Sequence, residues 1–367
     1  MKDGPIRILQ VVPNMQQGGL ENFIMNLYRN IDREKVQFDF LVHYTRKEYF
    51  DEEIENLGGK IYRFNLRENN NIFKYMIQLN KFFKEHKEYK VIHCHMSSIG
   101  FIVFNIAKYN GIKIRIAHSH NADTEKTLKG FIKSIIIKPY KYVSTINFAC
   151  SKKAGEYLFK NKTFEIIPNA IELEKYKFDY NIRENMRKKL NIKNDELIIG
   201  HIGRFERQKN HIVLIDIFKK IVDKQNNAKL ILIGNGGQES LIKEKVKSMN
   251  LEKKVLFLGI RDDVNKLYQA MDCFLLPSLF EGLPLVGVEA QTSGLSCIFS
   301  DTITQEIKIS DNTCFLSLDN LDKWVDEVLS KKEFDRNDGY KNALNSQYNI
   351  KNIAKNVQKI YTEEFYK

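Results

Sequence analysis

Cys273-Phe274-Leu275-Leu276-Pro277-Ser278-Leu279-Phe280-Glu281-Gly282-Leu283-Pro284-Leu285-Val286-Gly287-Val288-Glu289-Ala290 reads as a buried strand, a turn and the start of a helix. Cys273–Leu276 has no polar member, as a strand covered on both faces requires. The turn holds Glu281, Gly282 and Pro284. Pro284 fits the first helical position, where its missing N–H costs nothing. Leu283, Pro284 and Leu285 would then present free backbone amides to an anion or a sugar hydroxyl. Glu281 lies in the loop and Glu289 one or two turns into the helix. Carboxylates so placed accept hydrogen bonds from vicinal hydroxyls. An ordinary solvated helix carries the same spacing, and spacing alone does not separate the two.

Working outward, the strand–turn–helix rhythm recurs along the whole chain. Ile6–Val12, Gln37–His43, Ile61–Phe64, Val91–Cys94, Ile114–His118 and Ile146–Ala149 read as strands with helices between them. Ile72–Glu85 carries apolar residues at 72, 76, 79 and 83, a helical stripe. After Ile166-Ile167-Pro168-Asn169-Ala170 a charged stretch runs from Glu172 to Glu196. The alternation then restarts with Leu197–Ile202, Lys229–Ile233, Val255–Leu258, Cys273–Leu276 and Ser296–Phe299. Short apolar runs alternating with longer helices predict α/β architecture with parallel sheets covered on both faces. The expected division is 1–178, 179–349, and a terminal helix over 350–367 open to packing on either domain, the first included.

Other strand ends carry chemistry of the same kind. Gly18 and Gly19 stand where the first strand turns into a helix, a place that admits close approach of a ligand or simply makes a tight turn. This is not the GxGxxG dinucleotide fingerprint. Gly203-Arg204-Phe205-Glu206-Arg207-Gln208-Lys209-Asn210 follows another strand, and a guanidinium fork with a mobile ammonium suits a diphosphate. A solvated charge pair would look alike. Gly234 opens a third glycine-rich turn, and ligands of such folds bind outside the carboxyl ends of the strands. His118 and His120 sit at one strand end, His93 and His95 at another. The alternation around Cys94 points His93 and His95 to one face, as in a metal pair, but no carboxylate or cysteine completes a spaced set. No metal is expected.

Composition narrows the classes. The 367 residues are 43% hydrophobic and 28% charged, which excludes disorder and fibrous repeats. Lys and Arg number 58 against 46 Asp and Glu, and the resulting +12 favours anionic partners. The five cysteines form no CxxC pair and read as core thiols in a reducing compartment. No apolar run reaches about 18 residues. Zinc-finger spacing and RNA motifs are absent from the sequence, so nucleic acid is not an expected partner.

These stretches together resemble glycosyltransferase family 4. Glu281 to Glu289 resembles its E-x7-E motif, and Gly203-Arg204 through Lys209-Asn210 its G-R-x-x-x-x-K-N segment. Phe257-Leu258-Gly259-Ile260-Arg261-Asp262-Asp263-Val264 resembles F-x-G-x-x-x-D-V. Ile167-Pro168-Asn169-Ala170 is similar to I-P-N-G/A, and Gly18-Gly19-Leu20-Glu21 to G-G-x-E. Ser296 stands where relatives have proline. The branch it is most similar to builds capsular and exopolysaccharide repeat units. The resemblance implies the GT-B fold, two Rossmann-like domains facing an interdomain crevice. It implies Glu289 on the nucleotide ribose, Glu281 near the donor sugar and phosphates, and Arg204 and Lys209 on the diphosphate. Gly18, Gly19, Gly203, Gly234, Arg261 and the Gly282, Leu283, Pro284, Leu285 turn would line the donor, and Phe257 to Val264 would border the base. His118 fits the histidine near the donor sugar, with His120 as the alternative, and His93 and His95 would lie on the acceptor side.

The implied reaction moves a hexosyl group, with retention, from a nucleotide sugar, UDP-linked by preference. Front-face attack is inherited from the family, and no D-x-D motif occurs. The implied acceptor is a polyprenyl-diphosphate-linked saccharide. Basic-aliphatic segments at Ile72–Lys87 and Thr124–Val143 would rest on the anionic inner leaflet of a bacterial membrane, making the chain cytoplasmic and peripheral. The alternatives are a nucleotide-sugar epimerase on the same fold and a non-catalytic sugar-nucleotide-binding protein. Oligomeric state is unassigned.

Overall fold

The computed structural model describes residues 4–97, 99–120, 139–330 and 335–367. It divides into two compact units, one formed by Met1–Ala170 with Ile350–Lys367 and the other by Ile171–Asn349.

The first unit is a seven-stranded sheet of β1 (Ile6–Val11), β2 (Val36–Val42), β3 (Ile61–Arg63), β4 (Val91–Cys94), β5 (Ile114–Ser119), β6 (Ile146–Ala149) and β7 (Glu165–Ile166). Their order is β3-β2-β1-β4-β5-β6-β7, and every neighbouring pair is parallel. Chain direction across the sheet therefore reverses between β1 and β4, the switch point at which open α/β sheets leave a crevice. Alternation along the strands feeds two cores. Ile6, Ile8 and Val12 with Val91 and Ile116 pack beneath the helices Gly19–Asn30 and Ile350–Tyr366. Leu9, Val11, Ile92, Cys94 and Ala117 pack on the other face with Tyr75, Leu79, Val103 and Phe104. The C-terminal helix returns to this unit through Ile350, Ile353, Ala354, Val357 and Tyr361, all buried.

The second unit repeats the design. Its strands are β8 (Leu197–Ile202), β9 (Ala228–Ile233), β10 (Val255–Phe257), β11 (Cys273–Leu276), β12 (Ser296–Ser300) and β13 (Thr313–Leu316). They run parallel in the order β10-β9-β8-β11-β12-β13. The switch point falls between β8 and β11, the two strands whose ends carry the Arg204–Lys209 and Glu281 turns. Gly234 shows why that corner is rich in glycine. Its φ is +131°, and a Cβ there would lie 2.1 Å from the carbonyl oxygen of Gly203. Gly203 and Gly234 donate their amides to Ile233 and Gly259, which ties the ends of β8, β9 and β10 together.

Two local expectations are corrected. Of the stripe at 72, 76, 79 and 83, Leu79 and Phe83 are buried and Ile72 packs against the same core, but Met76 is exposed. The buried residues of Ile72–Glu85 are Tyr75, Leu79, Phe82 and Phe83, while Phe73, Met76 and Ile77 face solvent. Pro284 precedes its helix: Leu285–Thr292 is helical and Pro284 is the N-cap, with extended backbone. Lacking an N–H, Pro284 has no amide to present. The unpaired first-turn donors are those of Leu285 and Val286.

Candidate functional site

In the second unit the turn after β8 is anchored on the turn after β11. Leu279 donates its amide to the Gln208 carbonyl at 2.8 Å, and the Gln208 side-chain amide donates to Phe280 O at 3.0 Å. This closeness brings Lys209 Nζ to 2.7 Å from Glu281 Oε1, an ion pair whose two side chains are 15% and 8% exposed. Ser278 Oγ and Gln208 Nε2 donate to the same carboxylate at 2.8 and 3.2 Å. The Lys209 stem covers Gly203, where a Cβ would lie 2.9 Å from it. Arg204 is exposed on the same turn. The arrangement offers a caged ammonium and an exposed guanidinium at the switch point.

Glu289 stands on the inner side of the following helix, half-buried. Tyr268 Oη lies 2.9 Å from its Oε2 and 3.0 Å from the Val286 carbonyl. Burial raises the Glu289 pKa, and hydrogen bonds from Tyr268 and Tyr176 pull it back. Arg261 is occupied by a neighbour: its guanidinium grips Asp263 through two bonds of 2.7 and 2.6 Å. Gly282 is exposed, Leu283 half-buried and Pro284 buried in the loop leading to Leu285.

In the first unit Gly18 caps the helix Gly19–Asn30, and a Cβ at Gly18 would meet the Glu21 carboxylate at 2.3 Å. His118, near the end of β5, is one of four adjacent histidines. His93 Nε2 lies 3.2 Å from His118 Nδ1, and His95 Nδ1 lies 2.9 Å from His120 Nε2. Burial, then their neighbouring imidazoles, holds His93, His95 and His118 well below the ordinary histidine range, so all three are neutral. The expectation of no metal is overturned here. Among the described residues His93, His95 and His118 each offer one ligand atom, all within 4.8 Å of one another, enough to hold an ion without any carboxylate or thiol.

The similarity to known proteins follows the same two units. A family model described as Glycosyltransferase Family 4 matches residues 17–175, and one described as Glycosyl transferases group 1 matches 182–334. The putative glycosyltransferase EpsF of Bacillus subtilis (strain 168) is 34% identical over 316 residues, covering 84% of this chain and 82% of EpsF. The chain belongs to glycosyltransferase family 4. The transferase is also 28% identical, over 313 residues and 78% of each chain, to the Escherichia coli UDP-Gal:alpha-D-GlcNAc-diphosphoundecaprenol alpha-1,3-galactosyltransferase. Among solved structures, Anabaena HepE in complex with UDP and glucose superposes with a TM-score of 0.78 at 15% identity, covering 98% of this chain and 100% of that one. The two parallel-sheet units are thus those of the GT-B fold.

Several features of the transferase are absent from any reading of motifs. The Lys209–Glu281 pairing joins residues of different turns, and Tyr268 and Tyr176 reach Glu289 from outside the E-x7-E stretch. The four histidines gather only because β4 and β5 are neighbours in register, with His93 opposite Ile116. Apolar alternation around Cys94 and Ala117 is the available signal for their common face. In the second basic-aliphatic segment, Lys126, Lys129, Lys133 and Lys138 lie outside the described residues.

Proposed function

We propose that this transferase moves a hexosyl group from a UDP-sugar to a polyprenyl-diphosphate-linked saccharide, with retention at the anomeric carbon, in capsular or exopolysaccharide assembly. The observation that carries this reading is the caged Lys209 beside exposed Arg204 at the switch point of the second sheet. A diphosphate arriving there offers Lys209 a second anion and Arg204 a bidentate partner. As the glycosidic bond breaks, negative charge grows on the leaving diphosphate, and fixed donors already in place stabilise it. Glu289, held by phenols, accepts from the ribose hydroxyls, and Glu281 faces the sugar and phosphates. The amides of Gly282, Leu283 and Leu285 receive sugar hydroxyls or diphosphate oxygen. Gly203 and Gly234 keep the turn low enough for the nucleotide, and Arg261 borders the base, bridged to Asp263. In the first unit His118, Gly18 and Gly19 receive the donor sugar and its phosphates.

The acceptor reading is supported by the Escherichia coli relative, whose name specifies a diphosphoundecaprenol-linked sugar. A membrane-surface location is supported by Phe73 and Ile77, 77% and 72% exposed on one helix beside Lys74 and Lys81. No helix among the described residues is long and apolar enough to cross a membrane.

The test is a panel of UDP-hexoses and UDP-N-acetylhexosamines, with GDP-mannose as the outsider, incubated with undecaprenyl-diphosphate-linked monosaccharides. One UDP-sugar is expected to give a lipid-linked disaccharide with the donor's anomeric configuration retained in its NMR couplings. Turnover of GDP-mannose alone, or an inverted product, contradicts the reading.

A further inference from the structure

Gln10, His93 and His118 occupy the face of the first sheet that elsewhere carries Ile6, Ile8, Val91 and Ile116. Three polar side chains thus replace core residues at the switch-point end of β1, β4 and β5, beneath the C-terminal helix. His95 and His120, one residue beyond β4 and β5, extend the group. The ring pairs His93–His95 and His118–His120 have centroids 4.2 and 4.1 Å apart.

Two nitrogens of each pair point inward and the others outward. Inward, His93 Nε2 and His118 Nδ1 are 3.2 Å apart, and His95 Nδ1 and His120 Nε2 are 2.9 Å apart. Two imidazoles on one tetrahedral ion at the usual 2.0–2.1 Å would be separated by about 3.3 Å. Outward, His93 Nδ1 meets Tyr361 Oη at 2.6 Å and His95 Nε2 meets Gln10 Oε1 at 2.9 Å. Metal-bound histidines characteristically donate their second N–H to an oxygen in this manner.

Proton counting separates a loaded cluster from an empty one. Without an ion, the Gln10 carbonyl accepts from His95 Nε2–H, so His95 Nδ1 must accept from His120 Nε2–H. On the other side Gln10 Nε2 donates to Tyr361 Oη at 3.4 Å, Tyr361 donates to His93 Nδ1, and His93 Nε2–H donates to His118 Nδ1. All four rings are then Nε2–H tautomers. That leaves His118 Nε2–H without an acceptor and His120 Nδ1 a bare lone pair beside Asn169, whose Oδ1 likewise finds no donor. With an ion, the inward nitrogens all give lone pairs to the metal side. His120 then carries its proton on Nδ1, where Asn169 Oδ1 accepts it, while His93 Nδ1–H donates to Tyr361 Oη in place of accepting from it, and His118 Nε2–H stays without a partner.

We propose that His93, His95 and His118 form a transition-metal site in the first unit, with His120 as an adjoining imidazole; Tyr361, Gln10 and Asn169 face the outer nitrogens of His93, His95 and His120, and His118 Nε2 has no hydrogen-bond partner. An all-imidazole donor set selects Zn2+, Co2+, Ni2+ or Cu2+ over Mg2+, Mn2+ or Ca2+. The ligand atoms of the trio lie within 4.8 Å of one another, against the ~4.2 Å that two ligands span across one ion. Through Tyr361 the ion would tie the ends of β4 and β5 to the C-terminal helix.

The test uses the full chain stripped with a chelator and titrated with Co2+, then Zn2+, with Mg2+ as control. The expected result is one equivalent of Co2+ bound with the visible bands of a low-coordinate nitrogen site, displaced by Zn2+, and a rise in Tm that Mg2+ does not give. His95→Gln is expected to abolish it. Tyr361→Phe is expected to weaken binding about 10–100-fold, the usual effect of losing an outer hydrogen-bond partner, while keeping the cobalt bands. Should His95→Gln fail to fold, the Tyr361→Phe titration decides, and unchanged affinity there overturns the proposal. It is also overturned if neither ion binds and histidine 15N spectra show four rings all protonated on Nε2.

Discussion

Glu289 carries a charge that its own surroundings disfavour. Burial raises its pKa above the unfolded value of 4.5, and two phenols only partly offset this. A carboxyl whose pKa is raised on folding contributes its stability below the unfolded value, and loses it as pH rises through the folded one. Glu289→Gln keeps the acceptor oxygen for Tyr268 and removes the ionisation. It is therefore expected to stabilise the free protein at pH 7 by about 1 kcal/mol, the usual scale for relieving a functional cost. Urea unfolding should show that gain shrinking to nothing near pH 4, where wild type is neutral too. A variant less stable at both pH values contradicts the assignment. Donor binding should weaken in the same variant, because a neutral amide is a poorer acceptor for ribose hydroxyls.

At the scale of elements, the helix Ile72–Glu85 shows what a sequence conveys and what it hides. Its helical period is plain, but apolar residues are spread over both faces. Tyr75 and Phe82, not Met76, turn out to face the core, because Tyr62, Phe64 and Tyr89 build an aromatic layer there. Strands are easier to read, since an unbroken apolar run has few other uses, and both sheets are legible except for their edge strands β7 and β13, which are short or partly polar. Glu281, Glu289, Arg204 and Lys209 can be picked out as candidates because their motifs are local, and the structure brings Lys209 and Glu281 together. What is not legible is each contact made across the sheet or from the far end of the chain: Lys209 on Glu281, Tyr268 on Glu289, Tyr361 on His93. Such pairs depend on strand order, which periodicity does not encode. The exposed stripe left on this helix makes a prediction. Phe73→Ser with Ile77→Ser should remove most sedimentation with vesicles rich in phosphatidylglycerol, and neutral vesicles should bind wild type weakly, since Lys74, Lys81 and Lys84 share the helix. Unchanged sedimentation of the double variant would contradict this use of the helix.

At the scale of the molecule, both units hold buried neutral histidines away from the four-histidine cluster. Burial lowers His43 to about 4 in the first unit, where Val12 O and Tyr75 Oη lie 2.8 and 2.9 Å from its ring nitrogens. In the second unit burial lowers His211 to about 4 and His201 well below the ordinary value of 6.5. The unfolded chain takes up these protons first. Their stabilising effect is complete above pH 6.5 and is lost as pH falls toward the folded values, at about 1.4 kcal/mol per pH unit for each group. Unfolding free energy is thus expected to drop steeply between pH 6.5 and about 4.5, and His43→Gln should flatten the slope. A pH-independent unfolding curve over that range contradicts the burial of these rings.

Lys209, caged by Glu281, is proposed to serve the diphosphate site of a UDP-sugar transferase. Calorimetric titration of UDP and of uridine into wild type and Lys209→Ala tests this role most directly. The substitution is expected to weaken UDP at least about tenfold, the scale of a lost charge-assisted bond, and to leave uridine unchanged. Equal affinity of the two proteins for UDP, or an equal loss for both ligands, would contradict it.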